Sequence, residues 1–246
     1  MIKQRKALIW CIAVILTLGI ILGGCVIYVN DYYKANPDAV TAALSSDEVD
    51  VKENSRFTAF IPKEETHTGF IFYPGGKVEH KAYYPLMHAL AEQGILSIVV
   101  QMPLKLAVLD ANAALEIKNS YSEIESWYVG GHSLGGSMAA SCTYKNENEF
   151  NGVVLLGAYS TKDLSKKDVA ALSVYGTLDG VMNKEKYANC LSNMPTNFKE
   201  FVIDGGNHAY FGSYGEQKND GEAIITPSEQ ISITTDQIVA FISLHG

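Results

Sequence analysis

The chain has 246 residues, of which 47% are hydrophobic and 19% charged. This composition supports a sizeable core and excludes wholesale disorder, and the length fits one α/β domain with a short appendage. The formal net charge of −8 argues against nucleic acid as a partner, because an acidic surface repels phosphate backbones. The four cysteines form no C-x-x-C pair and no H-E-x-x-H motif occurs, so we expect neither a metal nor a cofactor.

An uncharged run lies near the start of the chain, over residues 7–29. As a helix it would be about 34 Å long, enough to span a hydrocarbon core of about 30 Å. Lys3, Arg5 and Lys6 precede the run, and positive charge tends to remain on the cytoplasmic side. We therefore predict a cytoplasmic tail over residues 1–6 and a single-pass signal anchor in the cell membrane, with the bulk of the chain outside the cytoplasm.

Cleavage of this segment is the alternative. Leu22-Gly23-Gly24-Cys25 resembles a lipoprotein cleavage box, which would make a lipid-modified Cys25 the new N-terminus. Because residues 26–29 continue the apolar run and no clear A-x-A site follows, the uncleaved anchor is favoured. Residues 30–47 are polar and contain Asn-Pro, which is typical of a linker. The folded domain is then predicted over residues 48–246.

Within that domain, segments with strand patterns alternate with segments with helical patterns. In chain order the predicted strands cover residues 56–61, 68–73, 95–100, 127–129, 153–156, 171–175 and 198–203. The predicted helices cover residues 80–93, 107–117, 134–143, 184–191 and 228–244. This alternation predicts an α/β fold with a mostly parallel, doubly wound sheet and helices on both faces. Ligands bind such sheets beyond the carboxyl ends of the strands, so the residues that follow each strand are the candidate site.

A candidate nucleophile follows the strand at residues 127–129, in Gly131-His132-Ser133-Leu134-Gly135. G-x-S-x-G alone is weak evidence, because a chain with 21 glycines produces it by chance at an appreciable rate. The strand before it and the small-residue helix after it favour a sharp turn that exposes the Ser133 hydroxyl. The helix N-terminus would also stabilise developing negative charge. A serine that merely caps a helix is the alternative.

A serine hydroxyl needs a base, and the base needs an acid that orients it. In a G-x-S-x-G site of this kind the chain order is Ser, then Asp or Glu, then His. Asp179 follows the strand at residues 171–175, and His208 follows the last strand in Gly205-Gly206-Asn207-His208. An Asp-Gly turn and a loop histidine are the alternatives for these two residues. Asp204 is the rival acid, but it is close to His208 in sequence and is expected to order the loop.

An acyl-transfer site also needs two amide donors for the oxyanion. The Leu134 amide, directly after Ser133, is the first. Tyr73-Pro74-Gly75-Gly76-Lys77 follows an earlier strand and should supply the second, at Gly76 or at its neighbour Lys77; a plain turn is the alternative. Three side chains in strand-end loops are predicted to contact the substrate or else to pack those loops: Met102, Tyr210 and Phe211.

Together these motifs resemble the α/β-hydrolase superfamily, over about residues 56–246, and in particular its small lidless branch akin to dienelactone-hydrolase-like proteins. The resemblance implies a triad and an oxyanion hole: Ser133 as nucleophile, His208 as base, Asp179 as orienting acid, and the amides of Leu134 and Gly76. Dienelactone hydrolases have cysteine where this chain has Ser133, so their lactone substrate is not implied. Pro74 also stands where many esterases have histidine.

The sequence therefore predicts a membrane-anchored serine esterase that acts on a small ester-like substrate through an acyl-enzyme. A peptidase or acyltransferase on the same triad and a non-catalytic binding module on the same fold stay open as alternatives. Cys142 and Cys190 are expected to be free thiols, with a disulfide between them as the alternative.

Overall fold

The computed structural model describes residues 2–146 and 148–246, which form two units separated after Tyr32. The first unit is helix α1 (Ile2–Asn30). Among the described residues, no helix has both the length and the apolar character that a bilayer crossing requires. Residues 7–29, predicted as a transmembrane anchor, lie within α1 and are helical. The structure does not support their assignment as a membrane span.

The second unit begins at Tyr33 rather than at residue 48, which corrects the predicted linker over residues 30–47. The Tyr33 amide donates to the Lys77 carbonyl at 2.8 Å. Helix α2 (Pro37–Ala43) follows, and the Asn36 side chain caps its N-terminus. The polar composition that suggested a linker instead supplies the helix cap, since residues such as asparagine serve both purposes.

A single mixed sheet forms the centre of the second unit. Within the described residues its strands are β1 (Val49–Glu53), β2 (Phe57–Pro62), β3 (Thr68–Tyr73), β4 (Leu96–Val100), β5 (Ser126–His132), β6 (Gly152–Leu156), β7 (Ala170–Gly176) and β8 (Asn197–Ile203). Their spatial order is β1-β2-β4-β3-β5-β6-β7-β8. The β1–β2 and β2–β4 pairs are antiparallel and the other pairs are parallel, as the predicted mostly parallel sheet requires.

Helices cover both faces of the sheet: α3 (Tyr84–Glu92), α4 (Ala113–Lys118), α5 (Leu134–Lys145), α6 (Lys184–Cys190) and α7 (Pro227–His245). Alternate residues of β3 belong to different core clusters, because successive strand side chains point to opposite faces. Phe72 packs in the cluster that contains residues of α3 and α7. Ile71 packs in the cluster that contains residues of α4 and α5. The predicted two-sided core is confirmed.

The helix predicted over residues 107–117 forms only in part and is interrupted. Short helical turns occupy Pro103–Lys105 and Ala107–Leu109, and α4 begins only at Ala113. The run Asp110-Ala111-Asn112 interrupts the pattern, because Asp and Asn side chains compete for backbone hydrogen bonds and favour turns.

Two cysteines of the second unit are free thiols. Cys142 is buried in α5 and Cys190 is half-buried at the end of α6. The disulfide alternative is therefore not formed.

Candidate active site

Ser133 lies at the sharp turn between β5 and α5, where its backbone has φ 53° and ψ −120°. A non-glycine residue in such a conformation is strained, and the strain persists only where the surrounding structure enforces it. Here the turn is forced by close packing on β3: a Cβ atom on Gly135 would lie 2.1 Å from the Tyr73 carbonyl oxygen. The glycine at this position therefore permits the turn that holds the half-buried Ser133 at the carboxyl end of the sheet.

Asp179 and His208 are in direct contact, with 2.8 Å between Oδ2 and Nδ1, and both side chains are buried. The other Asp179 oxygen accepts the amides of Val181 and Met182 at 2.9 and 2.8 Å. Burial by itself raises the pKa of Asp179, but the hydrogen bonds from His208 and the two amides outweigh it and bring the pKa below its usual value. An ionised Asp179 fixes the proton of His208 on Nδ1 and leaves Nε2 free to act as a base.

The Nε2 atom of His208 is buried and has no hydrogen-bond partner among the described residues, Ser133 included. Two contacts nevertheless bring the serine turn close to this imidazole. The Ser133 amide donates to the Leu156 carbonyl at 2.9 Å, and the next residue, Gly157, lies against His208. His132, directly before Ser133, has its ring centroid 4.4 Å from that of His208. In unliganded enzymes the bond from nucleophile to base is often long and tightens when substrate binds.

The rival acid Asp204 does not contact the imidazole in this way. It is exposed, and the Thr177 hydroxyl approaches its Oδ1 at 3.5 Å. The same threonine oxygen accepts the Gly205 amide at 2.9 Å. Asp204 therefore belongs to the ordering of this loop, as expected, and Asp179 is the acid paired with His208.

His132, the variable residue of the G-x-S-x-G motif, has a specific set of partners that the sequence did not indicate. The Tyr83 oxygen accepts the Gly75 amide at 3.0 Å and lies 2.8 Å from Nδ1 of His132. Tyr83 and His132 therefore share one buried hydrogen bond, whose donor depends on which ring nitrogen of His132 carries the proton. Burial lowers the pKa of His132 well below its usual value, and the neighbouring His208 lowers it further.

Of the three predicted oxyanion donors, the structure shows an alternative partner for one, and the roles of the other two stay predictions. Gly76 lies beside Leu134, since a Cβ atom on Gly76 would be 3.1 Å from Leu134 Cδ2. Leu134 is the first residue of α5, so its amide has no acceptor within the helix. The Lys77 amide donates to the Lys105 carbonyl at 2.9 Å and is therefore not available. Lys77 is thus corrected as a donor, and Gly76 is the remaining candidate for the second position.

The three side chains predicted to contact the substrate differ in burial, and two of them are buried too deeply to line an open pocket. Met102 is 5% exposed and belongs to one core cluster, and Phe211 is fully buried in the other. Tyr210 is half-buried, and its amide donates to Asn207 Oδ1 at 3.0 Å. An apolar side chain in a strand-end loop has the same sequence signal whether it packs the core or lines a site. The burial of Met102 and Phe211 favours packing, while substrate contact by Tyr210 stays a prediction.

The described part of the chain contains no group of three or more His, Cys, Asp or Glu side chains arranged to hold a metal ion. What the residues of the site can do is acid–base chemistry. A strained serine, an acid-paired imidazole and the unpaired first amide of α5 together suit transfer of an acyl group.

Comparison with known proteins identifies the family of the fold. A model of the alpha/beta hydrolase family matches residues 69–232, more than half of the chain. No curated protein matches the chain. Among solved structures, Est1E from Butyrivibrio proteoclasticus has a TM-score of 0.58 and 14% identity over 81% of this chain and 99% of its own.

Two further solved structures have the same degree of likeness. The predicted CIB-like hydrolase from Thermoplasma acidophilum has a TM-score of 0.57 and 14% identity, covering 78% of this chain and 99% of its own. TT1662 from Thermus thermophilus has a TM-score of 0.56 and 14% identity, covering 79% and 98%. At this level of identity the likeness shows a shared fold.

Proposed function

Because the chain belongs to the alpha/beta hydrolase family, we propose that it hydrolyses carboxylic-ester-type substrates through an acyl-enzyme on Ser133. His208 is the proposed base and Asp179 the acid that orients it. The observation that carries the proposal is the buried 2.8 Å contact between Asp179 and His208. Among the described residues Nε2 of His208 has no hydrogen-bond partner, and the ring lies beside the serine turn.

The proposed reaction has two halves. In the first, Ser133 Oγ attacks the substrate carbonyl while its proton passes to His208 Nε2. The amides of Leu134 and Gly76 hold the oxyanion, each contributing about 3 kcal/mol of barrier lowering. His208 then protonates the departing alcohol and the acyl-enzyme remains. In the second half, His208 deprotonates a water molecule that attacks the acyl group, which releases the acid and restores Ser133.

The test is turnover of p-nitrophenyl esters of graded chain length by the full-length chain, with peptides, thioesters and an acceptor alcohol assayed in parallel. Ser133→Ala should reduce ester turnover to the background rate. Ser137→Ala is the matched control, because Ser137 lies one turn further along α5 and its hydroxyl donates to the Tyr159 carbonyl at 3.0 Å. Ester turnover that survives Ser133→Ala would contradict the proposal.

The same assay separates the alternatives. Preferred cleavage of peptides would indicate a peptidase, and transfer to the added alcohol would indicate an acyltransferase. An absence of turnover with every substrate class, with ligand binding retained, would indicate a non-catalytic module.

Location at the cell membrane, with the hydrolase unit outside the cytoplasm, stays a prediction from the sequence. Fractionation of cells expressing the full chain or a chain beginning at Tyr33 tests it. The prediction is that the full chain sediments with membranes and the shortened chain does not. Recovery of both chains in the soluble fraction would contradict it.

A further inference from the structure

A carboxylate outside the proposed triad connects the loops that carry its acid and its base. Asp220 lies in the long loop between Phe211 and α7. Its Oδ1 atom accepts the amides of Gly180 at 3.0 Å, His208 at 3.2 Å and Gly221 at 2.9 Å. Its Oδ2 atom accepts the Ala209 amide at 2.8 Å. One side chain thus receives four backbone N–H groups from three separate places in the chain.

Two of the four amides that Asp220 accepts lie next to the Asp179–His208 pair. Gly180 directly follows Asp179, and the other amide belongs to His208 itself. Because Oδ1 accepts both, Asp220 fixes the main chain on both sides of the Asp179–His208 hydrogen bond. Hydrogen bonds to an ionised acceptor are stronger than those between neutral groups, so this connection is stiff.

The backbone around Asp220 is packed to allow this arrangement. A Cβ atom on Gly221 would lie 2.0 Å from the Leu178 carbonyl oxygen, so only glycine fits there. The Asn207 side-chain amide donates to the Gly221 carbonyl at 2.9 Å. From the other side, Gln230 of α7 holds Asn207, with its Oε1 accepting the Asn207 amide at 3.0 Å and its Nε2 donating to the Asn207 carbonyl at 2.8 Å. The base loop is therefore held between α7 and the Asp220 loop.

The structure assigns to Asp220 the role of a positioning residue for the proposed hydrolysis, and the inference rests on that proposed function. Asp220 holds the main chain of His208 and the loop of Asp179 in register, so that the imidazole keeps its 2.8 Å contact with Asp179 beside the serine turn. It does not touch the reacting atoms. Its loss should therefore slow the chemical step and leave substrate binding almost unchanged.

The experiment compares Asp220→Asn and Asp220→Ala in the full-length chain, with kcat normalised to the active sites titrated by a fluorophosphonate. An asparagine amide nitrogen cannot accept from Ala209, whereas alanine removes all four acceptor contacts. We expect kcat to fall about 10-fold in Asp220→Asn and about 100-fold in Asp220→Ala, since misplacement of a catalytic group by about 1 Å costs rate on this order. KM should change less than about twofold, because Asp220 makes no contact that would hold the substrate in its ground state.

Asp204→Asn is the matched control. It removes a carboxylate from the loop that carries His208, four residues before that histidine, and Asp204 accepts only a long 3.5 Å contact from the Thr177 hydroxyl among the described side-chain contacts. Its kcat and KM should both remain within about twofold of those of the wild type, the range left by loss of an exposed contact. Hydrogen exchange measured by mass spectrometry provides a second readout: peptides that contain Gly180 or His208 should exchange faster in Asp220→Ala and not in Asp204→Asn.

The possible outcomes distinguish failure of the positioning role from failure of the proposed function. A wild-type kcat per titrated site in Asp220→Ala, with ester turnover still dependent on Ser133, would overturn the positioning role and leave the hydrolase intact. A rise in KM at constant kcat would also overturn it, since that result assigns Asp220 to binding. Ester turnover that does not depend on Ser133 would overturn the proposed function, and the inference with it.

Discussion

The contact between His208 and Asp179 can be disturbed without changing either residue, by adding one methyl group at Gly157. Gly157 has φ +52°, and a Cβ atom there would lie 2.8 Å from His208 Nδ1 and 3.2 Å from Asp179 Oδ2. Ordinary van der Waals contact begins at 3.4 Å. In Gly157→Ala the imidazole must therefore move by about 0.6 Å or lose its bond to Asp179, because tightly packed side chains leave no void to absorb the clash.

Two costs of this substitution can be estimated separately. A non-glycine residue in left-handed backbone conformation costs about 1–2 kcal/mol of stability. Displacement of the base by a fraction of an ångström should lower kcat/KM by about 10- to 100-fold, which is about 1.4–2.7 kcal/mol of transition-state free energy.

Gly94→Ala separates the two costs. Gly94 has φ +80°, and its Cβ atom would meet nothing within 4 Å, so the variant has the backbone strain without the contact. We expect Gly94→Ala to lose urea stability from backbone strain alone, Gly157→Ala to lose at least as much, and only Gly157→Ala to lose kcat/KM for p-nitrophenyl acetate. Equal activity of the two variants would refute the inferred role of the His208–Asp179 contact.

Three further predictions concern the same site. Asp179→Asn should lower kcat/KM by about 10⁴-fold, because the imidazole then adopts the wrong tautomer, and a loss below tenfold in steady-state assays would contradict this. Burial lowers the pKa of His132 well below its usual value and that of His80 to about 4, so both stay neutral in the folded chain while the unfolded chain gains protons near pH 6.5. The free energy of unfolding should therefore fall as pH drops below about 6.5, by at most about 1.4 kcal/mol per pH unit for each histidine, and His132→Gln should flatten this slope in thermal melts. Tyr83→Phe leaves two buried polar partners unpaired and should lower the free energy of unfolding in urea by about 2–4 kcal/mol, whereas a loss below about 0.5 kcal/mol would show that its hydroxyl contacts contribute little.

The sheet could be predicted because its inner strands are short apolar runs separated by helical patterns. β4 is buried at every position, and its boundaries nearly match the predicted run. β1 was missed because four of its five residues are at least partly exposed, so it has no apolar run to detect. α2 was missed for a related reason: its seven residues are too few for a helical period, and the turn-like residues before it suggested a linker.

Some residues of the candidate site could likewise be predicted from the sequence, and others could not. Ser133, Asp179 and His208 could be singled out because each follows a strand, and parallel strands bring such positions to one edge of the sheet. Tyr83 and Asp220 could not, since their partners are mostly backbone amides, which have no sequence signal. Lys77 was a reasonable oxyanion donor on position alone. Its amide is committed to Lys105, a pairing across distant loops that only coordinates reveal.

The most direct test of the central claim is to map the residue that a fluorophosphonate modifies in the full-length chain, by peptide mass spectrometry. The account predicts a single adduct on Ser133, formed at a rate that falls strongly in Asp179→Asn and lost completely in Ser133→Ala. An adduct on another residue, or labelling of Ser133→Ala at the wild-type rate, would contradict it.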